Sequence, residues 1–171
     1  MARTGFITAV RRVIPAAGAG HETSSRFGRS WRALLRLSWA ERWILARTLT
    51  LLPFTVASLR LLGFRRTQAL LLPALGPSHT DQPLADTFAH IVHGAAPWSP
   101  LPANCLPRAL VLCRLLRRRG LQAELRLGVG KPEGEFAAHA WVEHAGRALA
   151  EPEGNGQRYA PLGEAPLTKR T

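Results

Sequence analysis

The stretch NCLPRALVLCRLLRRRG, residues 104–120, decides how the rest of the chain is read. Ala109, Leu110, Leu112, Cys113, Leu115 and Leu116 recur at the spacing of a helix that buries a broad face. Asn104 is a favoured N-cap residue, and Pro107 falls in the first turn, where a missing N–H is tolerated. Arg117, Arg118 and Arg119 stand at the negative end of the dipole, and Gly120 supplies the stop. Cys105 therefore opens a helix. A thiol there sits in the positive end of the macrodipole, which favours the nucleophilic thiolate. Position alone also suits a small buried core residue. Cys113, mid-helix among leucines, has no activating neighbour and is read as structural. Positions eight apart lie about 12 Å apart along a helix, so the two cysteines cannot pair within it. Two free thiols suit a reducing cytosol, and a cytoplasmic location is expected.

After Gly120 the period shortens. Leu121 to Val129, Phe136 to Glu143 and Arg147 to Glu151 read as strands, the last two joined through Ala145-Gly146. His139, Trp141 and Glu143 share one face of their strand, with Ala138, Ala140 and Val142 on the other. A three-residue loop, His144-Ala145-Gly146, would set Glu143 opposite Arg147 and Glu151 opposite His139. That register gives one imidazole nitrogen a carboxylate and leaves the other for a thiol, the nucleophile, base and orienter arrangement of acyl transfer. A slip of one residue would turn Glu151 away. A metal site fits less well. His139 and His144 fall on opposite strand faces, and His90 and His93 share a helix face without a third ligand. Gly128-Val129-Gly130 lacks the continuation of a phosphate loop, so neither metal nor cofactor is expected.

Upstream, Leu84, Phe88, Ile91 and Val92 mark an amphipathic helix ended by Gly94 and Pro97. Ser38-Trp39-Ala40-Glu41 offers a capping box, from which a helix should run towards Pro53, with a second piece from about Phe54 to Leu62. Helices followed by strands give an α+β fold. The division expected is 1–29 as a loose tail, 30–80 as a helical lead-in and 81–171 as the core of one catalytic unit. No apolar run of signal-peptide length precedes Arg11 and Arg12, so secretion is not indicated. Ile44 to Leu62 is the nearest approach to a membrane span. Arg47, Pro53 and Arg60 interrupt it, which leaves peripheral contact as the membrane option.

The 171 residues carry a formal charge of +12 and a pI near 11.6, mostly from arginine spread through every segment. Such a field attracts acidic partners, anionic membranes or nucleic acid, although high-GC codon usage yields the same composition. Aromatics interleaved with basic residues are sparse outside Trp31, Trp39 and Trp43, and no nucleic-acid partner is expected.

Asn104 to Leu110, Leu115 to Gly120, Leu127-Gly128-Val129 and Phe136 to Glu143, with Leu37 to Trp43 ahead of them, resemble the lasso peptide biosynthesis B protein. That family is the transglutaminase-like leader peptidase of lasso peptide clusters. The resemblance covers about residues 31 to 155. It implies a transglutaminase-like, papain-like core, with the Cys helix packed on an antiparallel sheet behind a helical N-terminal region. It also implies a triad that cuts the leader from a ribosomally made precursor peptide. Carried over, Cys105 is the nucleophile and His139 the general base, while Glu151 stands where the family usually has Asp, with Glu153 as the other candidate. The Cys105 N–H, with Trp98 or another nearby donor, would hold the oxyanion. The partners implied are the precursor, a separate leader-recognition protein and an ATP-dependent macrolactam cyclase. Another acyl-transfer enzyme of this fold, an amidase or a cross-linking enzyme, and a non-catalytic RNA- or membrane-binding protein stand as alternatives.

Overall fold

The computed structural model describes residues 38–74, 79–130, 136–151 and 159–161. The expected tail at 1–29, and Glu153, lie outside them. Three helices precede the sheet: α1 (Trp39–Leu71), α2 (Gln82–Ala95) and α3 (Cys105–Arg118), with a 3₁₀ turn at Ala96–Trp98 after α2. The strands are β1 (Glu124–Gly130), β2 (Ala137–His144), β3 (Arg147–Ala148) and β4 (Ala160–Pro161), in the order β3-β2-β1-β4. All pairings in this sheet are antiparallel. The architecture is the expected α+β.

Helix α1 begins at the predicted capping box. The Ser38 hydroxyl accepts from the Glu41 N–H, and the Glu41 carboxylate accepts from the Ser38 N–H at 2.7 Å. Its course departs from expectation, because Pro53 lies inside the helix and does not divide it. The interruption comes at Gly63, whose φ of 75° and ψ of 174° belong to a region open essentially to glycine alone. Tertiary packing carries the helix through Pro53, since Leu52 and Val56 on either side are buried in the core.

Helix α3 is the centre of the molecule. Leu110, Val111, Leu112, Cys113 and Leu116 are all buried, more than one face can hold, because α1, α2 and the sheet each cover part of it. Ile44 of α1, Phe88 and Val92 of α2, and Ala140 and Val142 of β2 join the same core. The helix ends as a Schellman motif: Gly120, with φ 71°, donates to the Arg117 carbonyl, and Leu121 donates to that of Leu116. His79 then bridges Leu121 in parallel, which ties the segment after α1 to the exit of α3.

The β2–β3 hairpin corrects the expected register. The turn is the two residues Ala145-Gly146, with φ of 50° and 77°, so His144 pairs with Arg147 and Glu143 with Ala148. Two left-handed residues make the type I′ turn, whose twist matches the strands it joins. The expected Glu143–Arg147 pair is therefore not formed. Arg147 lies 3.7 Å from Asp86, and Glu143 accepts from Arg126 at 3.0 Å. Arg126 also reaches Glu124 at 3.1 Å, and so bridges two carboxylates that stand opposite each other on β1 and β2 and eases their repulsion.

Candidate active site

Cys105 is the first residue of α3, half-buried against the core. Asn104 occupies the N-cap position with extended backbone, as expected, but its side chain makes no cap hydrogen bond. With no side-chain cap, the Cys105 and Leu106 N–H groups of the first turn remain available to a negative charge beside the thiol, Pro107 having none. The approach to Cys105 is held from behind by Arg108, which donates to the Ala103 carbonyl at 2.7 Å. That tether escaped the sequence reading, since nothing in the spacing of Arg108 shows that it turns back across the helix start.

His139 lies near the start of β2, paired with Gly128 of β1, which β4 flanks on its other side. Its Nε2 is 3.0 Å from the Glu151 carboxylate. The route to this contact differs from the one the sequence suggested. With the register displaced by one residue, straight continuation of β3 would not set Glu151 opposite His139. Pairing extends as far as Leu149, whose N–H donates to Val142, and Ala150 then adopts a left-handed φ of 53°. That bend interrupts the alternation of the strand and returns Glu151 to the His139 ring. Glu151 is mostly buried, with 9% of its side chain exposed, so the pair sits largely out of water.

Aromatic rings flank the imidazole. Trp141 stacks at 6.0 Å between centroids and Tyr159, the sole tyrosine, lies tilted at 5.1 Å. Trp141 is itself fixed, its indole N–H donating to Glu143 at 3.1 Å. Gly128 makes this arrangement possible. A Cβ there would meet two ring carbons of Trp141 and the Cβ of Tyr159, all at 2.9 Å. Neither Tyr159 nor the need for glycine at 128 was legible, because both arise from strands that meet only in the folded sheet.

His93, near the end of α2, is a further titratable group in this electrostatic neighbourhood. Burial holds its imidazole below the ordinary value of 6.5; Glu151 opposes that, while Arg108, His90 and His139 add to it. Cys113 differs from Cys105 in kind. Burial pushes its thiol up to about 11 in spite of Arg117, and the thiol points at the Ala123 carbonyl. The structure thus sets His139 Nε2 within 3.0 Å of the Glu151 carboxylate, a close approach that lacks hydrogen-bond geometry. Among the described residues no hydrogen bond links Cys105 to that ring. Trp98 ends the 3₁₀ turn, half exposed. No group of three or more metal-ligating side chains forms among the described residues.

The family model of the transglutaminase-like superfamily matches residues 48–164, a span that includes Cys105, His139, Glu151 and Tyr159. No curated protein and no solved structure matches the chain.

Proposed function

This chain belongs to the transglutaminase-like superfamily, and from that premise we propose that it is a cysteine peptidase that removes the leader from a ribosomally made precursor during lasso peptide maturation. The observation that carries the reading is the His139–Glu151 contact on the sheet that packs against the helix opened by Cys105. The likeness of residues 104–120 and 136–143 to the leader peptidase adds the substrate class.

In this mechanism Glu151 holds His139 through Nε2, which leaves Nδ1 to take the Cys105 proton. The thiolate attacks the last carbonyl of the leader, and the free N–H groups at the start of α3 receive the charge that develops on oxygen. The tetrahedral intermediate collapses to a thioester as the peptide C–N bond breaks, and the His139 imidazolium protonates the departing amine. Water, deprotonated by His139, then hydrolyses the thioester, which frees the leader carboxylate and restores the thiol. The core peptide leaves with a free amino terminus, the group a macrolactam cyclase consumes. A separate recognition protein would present the leader, and the positive field of the chain would help to gather that complex.

The test is mass spectrometry of precursor incubated with the chain and its recognition partner. We expect two fragments divided at one peptide bond, and no cleavage with Cys105→Ala. Cleavage by a folded Cys105→Ala chain would contradict the mechanism. A product linked by a new isopeptide bond would assign the site to cross-linking.

A further inference from the structure

Helix α1 is apolar on two sides, and the core covers only one. Ile44, Leu52 and Val56 are buried against the body. On the opposite side Trp39, Trp43, Thr50, Phe54 and Leu61 fall within one narrow stripe at 100° per residue. The large side chains of that stripe lie open: Trp39 is 83%, Trp43 49%, Phe54 50% and Leu61 82% exposed. The stripe runs roughly 33 Å along the helix at 1.5 Å per residue.

Its charge has one sign. Arg42, Arg47 and Arg60 precede the bend at Gly63, and Arg65 and Arg66 follow it. The sole acid of the helix, Glu41, is buried in the capping box. Beside the stripe, Arg47, Arg118 and Arg119 line a cleft between α1, α2 and α3 together with Trp43 and Phe88, and no carboxylate is among the lining residues. Arg47 stacks over Trp43 at 4.1 Å and Arg119 over Phe88 at 5.9 Å. Arg114 nearby is held below its ordinary range, first by burial and then by Arg118 and Arg47.

We propose that this face of α1 and its arginine cleft form a docking surface for an anionic lipid membrane, with the helix lying in the plane of the interface. The helix is long and apolar enough to cross a bilayer. Lipid cannot surround it, however, because its inner face is part of the core shared with α2 and α3. An aromatic and aliphatic crest edged by arginine, with no acid on its open side, is the composition of an in-plane helix. Tryptophan favours the headgroup level, and arginine pairs with lipid phosphate. An acidic protein partner would use the arginines but would leave the tryptophan and leucine crest without a counterpart.

Flotation of the full-length chain with vesicles tests this. With phosphatidylglycerol mixed into phosphatidylcholine we expect binding at least about tenfold stronger than to phosphatidylcholine alone, weakening as salt rises, with a blue shift of tryptophan fluorescence. Replacing Trp39, Trp43, Phe54 and Leu61 together by Ser should abolish flotation. Arg47→Gln, Arg118→Gln and Arg119→Gln should each weaken it about fivefold. Circular dichroism establishes that each variant is folded, and Trp39→Ser alone, at the helix start, serves if the fourfold variant is not. A folded wild-type chain that floats with neither vesicle, or equally with both, overturns the proposal. So does self-association that the same serine substitutions abolish, which would give the face to a second copy.

Discussion

At the scale of single residues, the site depends on one missing methyl group. Gly128→Ala would drive a Cβ into Trp141 and Tyr159, the rings that flank His139. We expect a loss of about 1–3 kcal/mol in urea denaturation and a fall in kcat larger than that loss explains, because the imidazole moves with its neighbours. Glu151→Gln should lower kcat by about 10²–10⁴ with a smaller change in KM, as when the orienting acid of a triad is removed. Cys113, its thiol pushed up to about 11 by burial, should stay unmodified when iodoacetamide labels the folded chain at neutral pH, as peptide mapping would show. The residue types of the proposed site were legible, since Cys105 follows a helix-start signal and His139 an alternating strand. Arg108 and Tyr159 were not, for their contacts run across chain segments that no local pattern relates.

At the scale of elements, local signals succeeded where the cause is local. The capping box at Ser38 and the Gly120 stop are set by a few adjacent residues, and both form as expected. Ser38→Ala should cost about 1 kcal/mol, read as a lower thermal midpoint. The break in α1 was misplaced because Pro53 weakens a helix only when packing does not restore it, whereas Gly63 takes a backbone conformation that alanine resists. Gly63→Ala should therefore cost about 1–3 kcal/mol even though nothing lies within 4 Å of the added carbon. The hairpin shows the opposite compensation. Ala145 accepts a left-handed φ and shortens the turn, and Ala150 accepts another and restores Glu151 to His139. No alternation pattern could reveal two such departures, because alanine carries no turn signal.

At the scale of the molecule, one core built on α3 binds the helices to the sheet, so strain at one edge reaches the site at the other. The α+β order was legible from the change of period at Gly120. The open face of α1 was not, since a helix with large apolar residues on opposite sides does not reveal which side is covered. Charge also acts globally. Because burial holds His93 below 6.5, the unfolded chain binds a proton that the folded chain refuses. This contribution is complete above pH 6.5 and is lost as the pH falls below it. Urea midpoints at neutral and mildly acidic pH should show the decline, and His93→Gln should reduce it.

Cys105 and His139 are proposed to act as one unit, and the alkylation rate of Cys105 in the folded chain, with and without His139→Ala, tests this without precursor or partner. We expect modification of Cys105 at neutral pH that slows by about tenfold or more when the imidazole is removed. Equal rates in the two folded proteins would contradict it.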